Sequence, residues 1–175
     1  MTVGDDITPL DRSIVVMGVA GSGKTTIARA LATRLNFAFI DADWLHSAQN
    51  VEKMAAGQPL SDDDRYPWLH AVGERMKNET LSHRGTVTAC SALKRAYRDV
   101  LRLYAPDAFF VALDGSLEVI RSRIDARPAE IAGEALLASQ FATLEPLQPD
   151  ERGMHVDVQF SPDVIANDVL AVVAP

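Results

Sequence analysis

Ser13-Ile-Val-Val-Met-Gly18-Val-Ala-Gly-Ser-Gly-Lys24-Thr25 is the stretch that decides the fold. The β-branched run ahead of Gly18 reads as a short buried strand that stops at a glycine-rich turn. Beyond it, Ile27, Leu31 and Leu35 recur every four positions with Ala28 and Ala32 beside them. That spacing predicts a helix over about 24–35 with one face to lay on a sheet. Gly18 to Thr25 fits G-x-x-x-x-G-K-[ST] completely, in the strand, turn and helix setting that gives the motif its meaning. Such glycines let successive backbone N–H groups turn inward around phosphate oxygens, and the helix N-terminus adds partial positive charge. Gly18, Gly21, Ser22, Gly23, Lys24, Thr25 and Thr26 are therefore the candidate ATP-binding residues. Lys24 is placed to reach the β- and γ-phosphates, and the Thr25 hydroxyl to hold Mg²⁺.

Working outward, a second strand follows at 37–41 and a helical excursion at 47–83, broken around Gly57-Gln-Pro59. A third strand is expected at 86–90, a helix through Tyr97 and Leu101, a fourth strand at 109–113 and a helix over 117–126. Residues 127–133 carry proline and glycine without a clear period and read as a mobile loop. A helix at 134–144, a last strand at 154–158 and a helix start at Ser161-Pro162-Asp163 complete the chain. Strands alternating with helices imply an α/β fold, a parallel sheet covered on both faces, with ligands at the carboxyl ends of the strands.

The 175 residues, 47% of them hydrophobic, suffice for one substantial core, so one domain is expected over 13–175, with 1–12 a flexible extension. A net charge of −7 gives no basic surface to follow a nucleic-acid backbone. No stretch approaches a membrane span, the polar first dozen residues lack a secretory pattern, and the single cysteine, Cys90, forms no internal disulfide. A cytoplasmic location is the expectation, with neither nucleic acid nor membrane as partner.

The phosphate loop does not by itself separate a kinase from a switch or a motor. A GTPase switch needs an Asn-Lys-x-Asp tetrapeptide, which does not occur, and a motor ATPase usually ends its third strand in Asp, where this chain has Ser91. The magnesium carboxylate must come from elsewhere. Asp41 and Asp43 lie two residues apart at the end of the second strand, which strand periodicity would point to one side of the active edge. Asp41 is assigned to the metal's water shell and Asp43 to accepting a proton from the attacking hydroxyl, with exchange of the two roles left open.

From Asp41 onward, Asp-Ala-Asp-Trp-Leu-His46, Asn50, Lys53-Met54, Gly57, Pro59-Leu60 and Asp62-Asp-Asp-Arg65-Tyr-Pro-Trp68-Leu69 resemble the gluconokinase family of small carbohydrate kinases. The resemblance continues through Cys90-Ser-Ala-Leu-Lys94, Tyr97-Arg98-Asp99, Ser139-Gln-Phe141, Thr143-Leu-Glu145 and Asp150-Glu151. It implies a P-loop, adenylate-kinase-like fold with a five-stranded parallel sheet and a closing lid, phosphorylation of gluconate on its 6-hydroxyl by Mg-ATP, and a homodimer. It also implies that the excursion 47–83 binds substrate, with His46, Arg65, Lys94, Arg98 and Gln140 around the sugar acid. Lys94 and Arg98 lie one helical turn apart and are expected to face one cleft. Asp62 to Asp64 are read as structural acids at a helix N-terminus, and Trp68 as core.

The loop 127–133 supplies the lid, flanked by Arg123 and Arg127 at helical spacing, of which Arg127 is the better candidate to stabilise charge over the phosphates. Here the chain departs from the family, whose lid commonly reads Arg-x-x-His-Phe, where this sequence has Arg127-Pro-Ala-Glu130-Ile131. Ser47 also replaces a common proline. A negative charge near phosphates or a sugar acid is unfavourable unless it points outward, which keeps open a kinase of the same fold acting on shikimate, a nucleoside monophosphate or another sugar acid, and a regulatory nucleotide-binding protein with a degraded site.

Overall fold

The computed structural model describes residues 13–82, 85–125 and 134–173, with side chains in α6 described from residue 136. The expected extension 1–12 and the lid 127–133, with Arg127 and Glu130, lie outside the described residues.

Strand β1 (Ser13–Met17) is buried along its whole length and forms the middle of a five-stranded sheet. Its partners are β2 (Ala38–Asp41), β3 (Thr86–Ala89), β4 (Phe109–Asp114) and β5 (Gly153–Asp157), in the order β2-β3-β1-β4-β5. Every pairing is parallel. A parallel sheet needs crossovers that cover both faces, and among the described residues these carry α1 (Lys24–Leu35), α2 (Ala48–Ala55), α3 (Asp62–Ser82), α4 (Arg95–Arg102), α5 (Leu117–Asp125) and α6 (Glu134–Thr143), with α7 (Pro162–Val173) following the last strand. This is the fold read from the sequence, a five-stranded parallel sheet flanked by helices.

The side-chain period of two sorts β1 between two cores. Ile14 and Val16 pack with Ile27, Leu31, Ile165 and Val169 of α1 and α7. Val15 and Met17 pack with Leu69, Val72 and Met76 of α3 and with Tyr97 and Leu101 of α4. Helix α1 buries Ile27, Ala28, Leu31 and Ala32, the stripe the sequence marked, and ends where Asn36 takes a left-handed conformation at φ 55° and returns its N–H to Ala32 and Thr33. The excursion after β2 is helical in two pieces, as expected, with α2 and α3 separated by the turn at Gly57.

Pairing Val16 with Ala89 and Met17 with Ala112 brings the carboxyl ends of β3, β1 and β4 to one edge. The glycine-rich turn leaves β1 at that edge, so the order of strands has already set the phosphate loop at the mouth of a cleft.

Candidate active site

The loop is tight enough that its glycines are required. Gly21 sits at φ 76°, and a Cβ there would come within 2.5 Å of Ile124 on α5. At Gly18, φ 147°, it would meet Ser22 Oγ at 2.9 Å and the Leu113 carbonyl at 3.1 Å. Ser22 is fully buried, and its hydroxyl has no hydrogen-bond partner among the described residues. Helix α1 starts from Gly23, which offers no side-chain cap, and has no acid in its first turn. Its first N–H groups and the positive end of its dipole are therefore left for an anion. Lys24 donates from Nζ to the Val19 carbonyl at 2.8 Å, folding its ammonium over the loop. Gly21, Gly23, Lys24, Thr25 and Thr26 line a cleft of about 400 Å³.

Asp41 and Asp43 both stand at this edge, but the geometry differs from strand alternation. Strand β2 ends at Asp41 and the chain turns at once into a 3₁₀ segment, Ala42–Leu45. Asp41 caps that segment, Oδ1 accepting from the Asp43 N–H at 3.2 Å, while Oδ2 accepts from Thr25 Oγ1 at 3.3 Å. The turn, rather than the pleat, carries Asp43 to the wall of the cleft. Because the Thr25 hydrogen is committed to Asp41, the hydroxyl lone pairs are free for a cation. Thr25 and Asp41 thus fit Mg²⁺, a hard ion that takes oxygen ligands and fills its remaining positions with water and phosphate. Among the described residues no group of three or more His, Cys, Asp or Glu is placed to hold a metal alone.

His46 lines the cleft beside Asp43. Its ring stacks on Trp68, centroids 4.2 Å apart, and Trp68 is itself fixed by donating Nε1–H to the Ala42 carbonyl at 2.7 Å. Trp68 is buried, as read from the sequence, and also forms part of the cleft wall. Buried Asn50 approaches His46 Nδ1 at 3.4 Å and donates to the Asp64 carbonyl at 3.0 Å. Burial lowers the His46 pKa, outweighing nearby Asp43, which raises it, and Arg65 lowers it further. His46 is thus a neutral hydrogen-bonding group at neutral pH.

The sign of this shift gives a stability prediction. Above the unfolded value of 6.5 both states are neutral and His46 contributes nothing; below it the unfolded chain takes up the proton first and the fold loses stability. A series of melting temperatures from about pH 7 to 5 should show that loss reduced in His46→Asn, whose amide does not titrate in the range.

Arg65, from the first turns of α3, is the cation that reaches the cleft. It is held from behind: Nη1 donates to the Tyr97 hydroxyl at 3.2 Å, and that hydroxyl donates to Asp62 at 2.5 Å. Lys94 closes the series with both Asp62 oxygens at 2.9 Å. Lys94 therefore braces Arg65 through Asp62 and Tyr97 rather than lining the cleft, which corrects the expectation that it faces substrate. Asp62 and Asp64 are structural, as expected, Asp64 accepting from Lys53 Nζ at 2.6 Å and from Ser61.

Arg98 is a second correction. It is fully buried, with Nε and Nη2 donating to Glu151 at 2.7 Å each and Nη1 donating to the carbonyls of Ala92, Leu93 and Glu145. The turn of helix between Lys94 and Arg98 separates a surface brace from a core ion pair. Arg123 donates from its guanidinium to the Val158 carbonyl just past β5 and is not among the residues lining this cleft. Gln140, on α6, does line it, and its Oε1 accepts from Ala20 N–H of the phosphate loop at 2.6 Å.

Sequence reasoning passed over Ser91, which lines the cleft and whose carbonyl accepts from Gly18 N–H at 3.3 Å. The signal was present, since a residue just past a central parallel strand lies at the ligand edge. Leu60 and Met54, which also line the cleft, carried no such signal, because an apolar residue on a substrate wall reads the same as one in the core.

Comparison with known proteins finds relatives over most of the chain. The AAA domain family profile matches residues 14–147. A gluconokinase of Gluconobacter oxydans is 43% identical over 159 residues, spanning 91% of this chain and 89% of that one. Among solved structures, a sugar kinase from Janibacter sp. HTCC2649 superposes with a TM-score of 0.88 at 44% identity, covering 94% of this chain and 96% of the other. A gluconokinase from Sinorhizobium meliloti 1021 superposes with a TM-score of 0.85 at 43% identity, covering 94% and 93%.

Proposed function

The chain belongs to the family that the AAA domain profile describes and, more narrowly, to the gluconokinases, and from that premise we propose that it transfers the terminal phosphate of Mg-ATP to the 6-hydroxyl of gluconate. It is a kinase of this fold acting on a small molecule. The observation that carries the finer reading is that one cleft joins the phosphate loop, through Lys24, to an acid, a neutral imidazole and a braced cation: Asp43, His46 and Arg65.

Each group has a task in that reaction. The loop N–H groups and Lys24 hold the β- and γ-phosphates and neutralise charge as the terminal phosphoryl group leaves ADP. Thr25 and Asp41 would hold Mg²⁺, which when bound would supply further charge neutralisation. Arg65 pairs with the sugar-acid carboxylate, a match of charge and fork geometry. His46 exchanges hydrogen bonds with the polyol hydroxyls. Asp43 accepts the proton of the 6-hydroxyl as its oxygen bonds to phosphorus and the bond to the β-phosphate oxygen breaks; the proton then leaves to solvent.

Glu130 and Ile131, where the family commonly has His-Phe, favour one second reading, an acceptor other than gluconate on the same cleft. The test is ADP release from Mg-ATP with gluconate, shikimate, nucleoside monophosphates and other sugar acids as parallel acceptors. Stimulation by gluconate above all others is expected; stimulation by another acceptor alone would keep the kinase and overturn gluconate. Arg65→Met should raise the KM for gluconate about 10- to 100-fold, the loss of hydrogen bonds to a charged group, with kcat much less changed. An unchanged KM would remove the carboxylate contact from Arg65.

A further inference from the structure

Gln140 enters the cleft from α6, a different element from those that bring Lys24, Asp43 and Arg65. Its side chain sits 2.6 Å from Ala20 N. A backbone N–H only donates, so the facing atom is the carbonyl oxygen Oε1, and the orientation of the whole amide follows. With Oε1 committed to the loop, the NH₂ group is turned away from Ala20. No described residue accepts from it. The half-buried amide is thus held at its oxygen by the phosphate loop and lines the same cleft as Lys24, with its NH₂ group committed to no described residue.

We propose that Gln140 is a catalytic donor to the phosphoryl group in transfer, its amide oriented by Ala20 N–H so that Nε2 donates to an equatorial oxygen of the phosphorus. The inference rests on the kinase reading and deepens it. Transferring phosphoryl groups spread charge over three equatorial oxygens, and fixed donors aimed there stabilise the transition state without reorganising. Ala20 N–H is the device that fixes this donor, and since it belongs to the loop that holds the phosphates, donor and target are positioned by the same backbone. No new bond chemistry is involved: Gln140 donates a hydrogen bond and keeps its protons.

The experiment compares the parent with Gln140→Met, similar in length but unable to donate or anchor, and Gln140→Glu, which keeps an oxygen for Ala20 and replaces the donors with negative charge. Affinity is measured for Mg-ADP alone and for Mg-ADP with aluminium fluoride, whose planar fluoride group imitates the phosphoryl group in flight, alongside kcat and KM. The expected result is that both variants hold ADP within about threefold of the parent, lose about 10²-fold in affinity for the fluoride complex, and lose kcat by a similar factor with little change in KM. A merely anchoring glutamine would behave otherwise. Gln140→Met would then weaken ADP and the fluoride complex equally, and Gln140→Glu, whose charge disfavours both anions, would weaken the two by the same factor; either outcome overturns the inference. A parent chain that binds no ADP, or gains no affinity from aluminium fluoride, would remove the kinase reading and this inference with it.

Discussion

Lys24→Ala is expected to lower turnover by about 10³-fold or more while leaving the fold intact, the scale set by removing a fixed charge from the site of a developing anion. The ammonium lies folded on the Val19 carbonyl at 2.8 Å, over the loop. Alanine is a good helix former at the start of α1. Kinetics and thermal melting of the same preparation separate the two consequences. A variant retaining turnover within about tenfold would remove Lys24 from phosphate binding, because no other described cation lining the cleft belongs to the loop.

The second large effect falls on stability. Glu151 is buried beside Arg98, whose side chain is fully buried, and also accepts from Arg102 at 2.5 Å. Burial alone would push the Glu151 carboxyl up, but the hydrogen bonds from Arg98 and Arg102 prevail and hold it down to about 2. Glu151→Gln leaves a buried guanidinium without its countercharge, a change that costs about 3–5 kcal/mol. It should be read as a lowered urea midpoint at unchanged slope. Replacing Arg98 and Glu151 together by apolar residues of similar volume should recover much of that loss, since the pair's own desolvation opposes its attraction.

The depressed value also fixes a pH dependence. Stability from Glu151 is fully present above the ordinary value of 4.5 and is lost as pH falls from there through the folded value of about 2. Glu151→Gln should therefore flatten the acid limb of the stability profile. A limb that keeps its slope in this variant would assign acid sensitivity to other carboxylates. The pair matters beyond its own energy, because Arg98 grips the carbonyls of Ala92 and Leu93 just past β3. Ala92 is held at φ 42°, a left-handed conformation costly for alanine, next to Ser91 on the cleft wall. The buried arginine is what the surrounding structure offers to keep that turn in place.

These contacts show what a sequence conveys and where it stops. The strand, loop and helix at 13–35 were legible because each signal is local: β-branched run, glycine spacing, fourfold apolar repeat. The parallel sheet followed from the alternation of elements. Asp43 was found as a residue but misplaced as geometry, since a strand that ends in a 3₁₀ turn looks, over so few residues, like a strand that continues. Lys94 and Arg98 were read as a pair facing one cleft because helical spacing is local information. Their actual partners, Asp62 and Glu151, lie 32 and 53 residues away, and no local pattern reports which distant carboxylate a cation will meet.

The acids at 62–64 and the tryptophan were read soundly for the reverse reason. Negative charge at a helix start and a large apolar ring in an amphipathic helix are signalled by their own element, even though the groups that fix Asp62, Asp64 and Trp68 are Lys94, Lys53 and the Ala42 carbonyl. Function divides along the same line. The phosphate loop is a local device that one stretch of sequence specifies, whereas the rest of the cleft wall is assembled from the 3₁₀ turn, α2, α3 and α6, so its chemistry became readable only once those elements were placed.

The most direct test of the central claim is proton-coupled phosphorus NMR of the product formed from Mg-ATP and gluconate. A new phosphomonoester resonance split as a triplet by two methylene protons is predicted, because only the 6-carbon carries a primary hydroxyl. A doublet, which marks phosphate on a secondary hydroxyl, or no phosphorylated gluconate beside active turnover of another acceptor, would contradict it.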